Sequence, residues 1–443
     1  MTIARSRAAR TAAPSAFRPR DAVSLGAVTK LPVGRNTALL SSSLAMSSAT
    51  LQLSAAVASL TLVRVLDIDG LLGLGPAIVL AAGALAALPA GLLMDRMGRV
   101  PVLAGGFGCG IAGCLLAALG SAQGWALAVL VGLVLVGTAN ATGLLARTAA
   151  GDMYPPERRA RGIALVLFGS VFGAILGPAV FSPLLAGRDL DGDALSALWI
   201  AASGFMVAGL AIVLTVRPDP KRIGELLAQA DGATPAPEPR HAPTSIATPT
   251  TPIRVLLHRP GVIPALVAAQ ASFAVMVAVM TLTGAVVVDH HHHSADNVFP
   301  IIGAHVIGMF GLIIVVGDIV DAIGRTRALA GGLLLMAAST ISLLWITGVP
   351  ASAAALFGLG LGWNFSFVAA TAVLSDMTAS SERGKLLGFN DLLAGLTGAG
   401  LALLGGLALT ALGVASLAIG GAALVLAPAL WILREGRLSP VTT

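Results

Sequence analysis

Charge is scarce in this chain. Asp, Glu, Lys and Arg make up 11% of its residues, against about 25% in an ordinary soluble domain. Aromatic side chains are also few, at 4% with a single tyrosine. The shortage of charge excludes a water-soluble globular enzyme or binding domain. Cysteine is limited to Cys109 and Cys114 in one apolar run. Five residues apart on a helix, they do not share a face closely and read as small packing residues. No catalytic triad, phosphate loop or extra soluble domain is visible, so no enzyme is expected. Residues 1–36 are rich in Arg, Ala and Ser, with Asp21 the one acid. They lack the order of basic region, short apolar stretch and small-residue cleavage site that marks a signal peptide, and read as a basic cytoplasmic tail.

What remains is apolar: hydrophobic residues make 56% of the 443, and the mean hydropathy is +0.90. Apolar runs recur between short polar breaks, each near the roughly 20 residues a helix needs to cross a bilayer. Gly inside such runs lets helices pack closely in lipid. Hydropathy places spans near 38–62, 71–94, 101–120, 125–147, 162–186 and 194–216, then 261–288, 298–318, 328–347, 350–375, 387–409 and 412–433. The expected fold is an all-α polytopic membrane protein of twelve transmembrane helices. Residues 37–216 form one six-helix bundle, 261–433 a second, and 434–443 a short cytoplasmic tail. The stretch 217–260 between them, rich in Pro, Thr and Ala, reads as a flexible cytoplasmic linker with one short helix at KRIGELLAQ. Basic residues set the orientation. With both termini inside, only Arg64 and Arg188 of the 27 Lys and Arg fall outside. The net charge of +6 therefore reports topology and not nucleic-acid binding.

The bundles carry an internal repeat. GLLMDRMGR ends the second span and GDIVDAIGR the eighth, so Gly91, Asp95, Gly98 and Arg99 recur 226 residues later as Gly317, Asp321, Gly324 and Arg325. After the fourth and tenth spans, Asp152 and Met153 precede Glu157 and Arg158 as Asp376 and Met377 precede Glu382 and Arg383. Two six-helix halves with the same loop signals imply a duplicated bundle. In this the chain resembles the major facilitator superfamily, whose loop between helices two and three GLLMDRMGR is similar to. The resemblance covers residues 37 to 435 and implies two pseudo-symmetric halves. It also implies a conformational latch of Gly91, Asp95, Arg96, Gly98, Arg99, Gly317, Asp321, Gly324 and Arg325, in which Asp caps or pairs with a neighbouring helix end. It says almost nothing about substrate.

Within the spans, Gly169, Gly173 and Gly177 followed by Pro178 form a stripe in the fifth. It partly resembles a Gly-Pro motif of antiporters in the superfamily, and equally a small-residue packing face with a bend. The Arg that drug antiporters carry deep in the fourth span is missing, with Leu133 at that place. Asp318 and Asp391 fall near the cytoplasmic ends of their spans, which leaves His305 as the deep titratable candidate. Gln52, Asn140, Trp363 and Asn364 are candidates to line a cavity, and Gln270 is a further intramembrane amide. Such amides more often bond helix to helix.

Two pairs stand out against this background. Met276 with Met280 in the seventh span, and His305 with Met309 in the eighth, are each spaced i, i+4 and so share a helix face. Met alone is an ordinary core filler, whereas an intramembrane imidazole is costly and usually functional. Three thioethers and an imidazole without carboxylate would select copper, above all Cu(I), over Mg, Ca or Mn. These pairs resemble the CcoA-type copper-importing branch of the superfamily. That resemblance implies copper import across the bacterial cytoplasmic (inner) membrane for cytochrome oxidase assembly. Outside the membrane, His290, His291, His292 and His293 after Asp289 form a tract able to capture metal, or simply a polar loop. The alternative is an exporter or importer of a small organic solute such as a drug, metabolite or riboflavin-like vitamin, with the Met residues as lining. Copper would be cargo and not cofactor. The implied partners are membrane lipid and a cytoplasmic copper acceptor, with the monomer as working unit.

Overall fold

The computed structural model describes residues 31–66, 74–185, 191–230, 251–286 and 298–435. All the regular structure among them is helical, because a backbone in lipid must satisfy its own N–H and C=O groups. The first half comprises α1 (Val33–Leu66), α2 (Leu74–Met97), α3 (Arg99–Gln123), α4 (Ala126–Leu144) running on as α5 (Ala146–Met153), α6 (Arg159–Leu167) continued by α7 (Gly169–Leu185), and α8 (Gly192–Leu214). The connection holds α9 (Pro220–Ala230) and the short α10 (Ile253–Leu257). The second half comprises α11 (Val262–Ala285), α12 (Val298–Val306), α13 (Ile313–Ile323), α14 (Arg325–Ser342), α15 (Val349–Asp376), α16 (Ser380–Leu412) and α17 (Val414–Glu435). Nine spans among the described residues are long and apolar enough to cross a membrane, and α12 with α13 forms a tenth, bent one. α1 and α14 take the first and ninth places, which completes the twelve-helix order in two six-helix halves.

Small residues set the packing, as expected where lipid supplies no hydrophobic drive between helices. The stripe of Gly169, Gly173 and Gly177 lies on α1, against Ser41, Ser48 and Gln52. A Cβ at Gly83 or Gly137 would press on the facing helix of the α2–α4 pair, and Gly332 with Gly362 does the same for α14 and α15.

Three spans differ from the hydropathy reading. Hydropathy expects the eighth to run straight over 298–318. It instead passes through a π turn at Ile307–Gly311, bends by 49° and continues to Ile323. The π turn lies where Gly308 packs on the carbonyl of Phe357, a site a side chain would block. The fourth continues past Arg147 to Met153, and the eleventh begins at Ser380. Hydropathy stops a span at the first charge, but these charges are paired inside the protein.

Candidate functional site

The side of the bundle that carries the connection between halves, the linker side, is closed by two ion-pair lattices. In the first, Asp95 at the end of α2 accepts Nη1 of Arg99 at 2.8 Å and the backbone N–H groups of Gly384 and Lys385 in α16. Arg99 donates Nε to Asp152 at 2.7 Å, and Arg383 from the other half takes the second oxygen of Asp152. In the second, Asp321 accepts the N–H groups of Ala160 and Arg161 at the start of α6, at 3.2 and 2.8 Å, and lies 3.2 Å from Arg325. Asp376 pairs with Arg159 from the other half on one oxygen and with Arg325 at 3.0 Å on the other. Each lattice therefore joins the two halves. Gly91 is placed where a Cβ would run into the Gly384 carbonyl, and Gly317 where it would meet Ala164. Gly98 and Gly324 turn the chain at φ 98° and 89°, which favours glycine. Arg96 is exposed, away from the lattice. The lattices differ in depth: Arg99 and Asp152 are fully buried, whereas Arg325 and Asp376 keep 12% and 11% of their side chains exposed. Asp219, just before α9, also caps α3 by accepting the N–H groups of Arg99 and Val100 at 3.1 and 2.9 Å.

At membrane depth, His305 is fully buried. Its Nδ1 lies 2.9 Å from the Leu356 carbonyl of α15. A carbonyl only accepts, so Nδ1 carries a proton, and in the neutral ring Nε2 then holds the lone pair. Nε2 is buried and has no hydrogen-bond partner. The ring is seated by Gly360, where a Cβ would collide with the His305 backbone carbonyl and crowd Nδ1. Met309 is buried within the π turn. Met276 is buried and Met280 half-buried. Met276 shares a face of α11 with Val279 and Thr283. Those two bound a small space whose other walls include Ile301 of α12 and Leu356 of α15. His305 stands one turn from Ile301, and none of Met276, Met280, His305 and Met309 is among the residues that line this space. The outer tract His290, His291, His292 and His293 lies outside the described residues.

A second cluster sits between His305 and the linker side. Phe310, next to Met309, meets Trp363 edge-on at 5.9 Å, and Trp363 stacks on Phe367 at 4.8 Å. The guanidinium of Arg147 lies 4.7 Å from the centre of the Phe367 ring and donates to Asp391 of α16 at 2.5 Å. Hydropathy puts Arg147 among the loop charges and Asp391 near a span end. Both instead lie within the helices of their spans, as an ion pair one to two turns inside the lattices. Asn140 and Asn364 have buried amides without partners. They stand 224 residues apart, the same offset as Asp152 and Asp376, and that offset is the signal that marks them as equivalent positions of the two halves. Gln270 is taken up by Asn390, to which it donates at 2.9 Å. Gln52 packs against Gly177 at the α1–α7 contact.

Comparison with known proteins agrees with this architecture. A family model described as Major Facilitator Superfamily matches residues 37–365. The MFS-type transporter YdeG of Bacillus subtilis (strain 168), described as uncharacterized, is 31% identical over 367 residues, 77% of this chain and 78% of the relative. The riboflavin transporter RfnT of Brucella anthropi is 30% identical over 309 residues, 70% of this chain and 72% of the relative. Among solved structures, the proton:xylose symporter XylE superposes with a TM-score of 0.69 at 15% identity, covering 91% of this chain and 95% of that one. A bacterial homologue of the iron transporter ferroportin, in an outward-facing state, gives 0.67 at 15% identity, covering 91% and 100%. By its paired lattices, its helix order and these matches, the chain belongs to the Major Facilitator Superfamily, a family of membrane transporters and not of enzymes.

Proposed function

We propose that this protein imports copper across the bacterial cytoplasmic membrane by alternating access, for cytochrome oxidase assembly, with both termini and the linker in the cytoplasm. The observation that carries the cargo is the state of His305. A metal-binding histidine characteristically gives its other ring N–H to a carbonyl or carboxylate, which fixes tautomer and orientation. His305 does this through Leu356 and keeps Nε2 buried and unpartnered. In this proposal Met276 and Met280 of α11 and Met309 of the π turn would add sulfur to the imidazole. Thioethers are neutral and need no deprotonation, so such a site holds Cu(I) and still releases it. The lattices close the linker side in this state, and cargo would leave once they part.

A second reading is favoured by the Trp363 and Phe367 stack, the unpartnered amides of Asn140 and Asn364, and the similarity to RfnT. In that reading a planar organic solute of the riboflavin type lies on the rings and is held by amide hydrogen bonds. Cellular copper and oxidase activity in a null strain separate the two. Complementation with wild type is expected to restore both, and Met276→Leu with Met280→Leu, or His305→Ala, to leave both low at normal protein level. Full restoration by the variants, with riboflavin uptake instead, would give the site to the organic solute.

A further inference from the structure

Among the described residues, the buried acids of the linker side are fully engaged, with one exception. Asp95, Asp152, Asp321 and Asp376 each receive donors or cations on both carboxylate oxygens. Asp391 does not. Its Oδ1 accepts from Arg147 Nη2 at 2.5 Å and from Asn390 Nδ2 at 3.2 Å, while Oδ2 is buried without any partner. On the other side of the pair, Nε and Nη1 of fully buried Arg147 are also without partners. An ion pair this poorly satisfied is held by charge attraction and little else, and one proton is enough to remove that attraction.

Position makes the exception meaningful. Asp391 lies three turns inside α16, and Arg147 lies on the opposite half. The pair is thus the innermost ion pair between halves among the described residues. It also occurs once. The lattices repeat, with Arg159 and Asp376 answering to Arg383 and Asp152, but at the 224-residue offset Arg147 answers to Thr371 and Asp391 to Leu167. Parts that occur twice serve the rocking of two equivalent halves. A titratable pair that occurs once is suited to bind one ion per cycle.

The other groups around it cannot take that role. From α5, Asp152 is held by Arg99 and Arg383. From α2, Asp95 is held by Arg99 and two N–H groups. On α16 itself, Arg383 is bound to Asp152, Lys385 donates to the Thr251 carbonyl, and Glu382 is held by Arg259. From α9, Lys221 donates to the Asp95 carbonyl. α15 ends in Asp376, held in the second lattice, and faces the pair with the ring of Phe367. α11 presents Gln270, which does not titrate, to Asn390.

We propose that Asp391, paired with Arg147, is a proton-binding site that couples transport to a proton gradient. A proton entering from the outer side binds the open Oδ2. The neutral acid no longer holds the guanidinium, which stays protonated, and the halves separate at the linker side. The proton then leaves to linker-side water and the pair re-forms. This rests on alternating access but not on copper as cargo.

The test needs no cargo. Ser375 is fully buried at the seam, and a Cβ on Gly151 of the other half would stand 3.2 Å from its hydroxyl. In full-length protein in lipid nanodiscs, with Cys109→Ser and Cys114→Ala, a Ser375→Cys reporter is labelled with a methanethiosulfonate reagent from about pH 5 to about pH 8.5. Labelling is normalised to the same protein denatured in SDS. With Asp391 present, we expect it to rise several-fold as pH falls. Asp391→Asn should label fast at every pH, and Asp391→Glu, which keeps a carboxylate, should respond with a displaced midpoint. A reporter indifferent to pH, or a response unchanged in Asp391→Asn or in Asp391→Glu, would overturn the proposal.

Discussion

A histidine within a bilayer is tolerated when its ring nitrogens have work to do, and His305 has one nitrogen bonded and one free. Its seat depends on Gly360, because any side chain there meets the His305 backbone. Gly360→Ala is therefore expected to displace the imidazole without removing it and to weaken Cu(I) binding by roughly 10–100-fold, the scale of lost outer-shell support. Competition with a Cu(I) chelator on purified protein measures this, and an unchanged affinity would detach His305 from the metal. The Met and His pairs are legible in the sequence because i, i+4 spacing is a purely local property. Arg147 and Asp391 are not, since hydropathy counts a charge as the end of a span and cannot see the partner 244 residues away. The equivalence of Asn140 and Asn364 is available from the 224-residue offset, but only once the echo of Asp152 and Asp376 is extended backwards along the helix.

At the scale of elements, the helix order and the duplicated loops are readable because lipid enforces them: long apolar runs must be helices, and basic loops set the side. The bend in the eighth span is not readable. It comes from a π turn seated against α15, a tertiary contact with no fixed residue signature. The glycines of α2 and α16 make a sharper case. A Cβ on Gly91 runs into the Gly384 carbonyl, whereas one on Gly105 in α3 meets nothing within 4 Å. Gly91→Ala should force the halves apart at the linker side and raise labelling of the Ser375→Cys reporter several-fold. Gly105→Ala should leave it unchanged, with a slight gain in helix propensity. Equal labelling in the two would mean that the α2–α16 contact does not hold the seam.

For the whole molecule, two equivalent lattices close one side, but they are not equally buried. Asp152 sits fully buried between Arg99 and Arg383, and Asp376 remains partly exposed between Arg159 and Arg325. Removing one member of a buried pair strands the others without compensation, at a cost of about 3–5 kcal/mol, while a pair that keeps some contact with water is partly screened. Asp152→Asn should thus lower the melting temperature in detergent much more than Asp376→Asn; the reverse order would contradict the difference in burial. The sequence repeat exposes the symmetry of these lattices, but their unequal depth depends on α9 and its Asp219 cap, which lie in the connection and have no counterpart in the repeat.

The proposed import of copper through His305 is tested most directly by flux. Full-length protein reconstituted into proteoliposomes containing a Cu(I)-responsive dye is given Cu(I) outside, as wild type, His305→Ala, and Met276→Leu with Met280→Leu. Saturable filling of the vesicles by the wild type, reduced at least about tenfold in both variants, is the expected result. Copper flux in His305→Ala equal to wild type, or no copper flux from a protein that carries riboflavin, would contradict it.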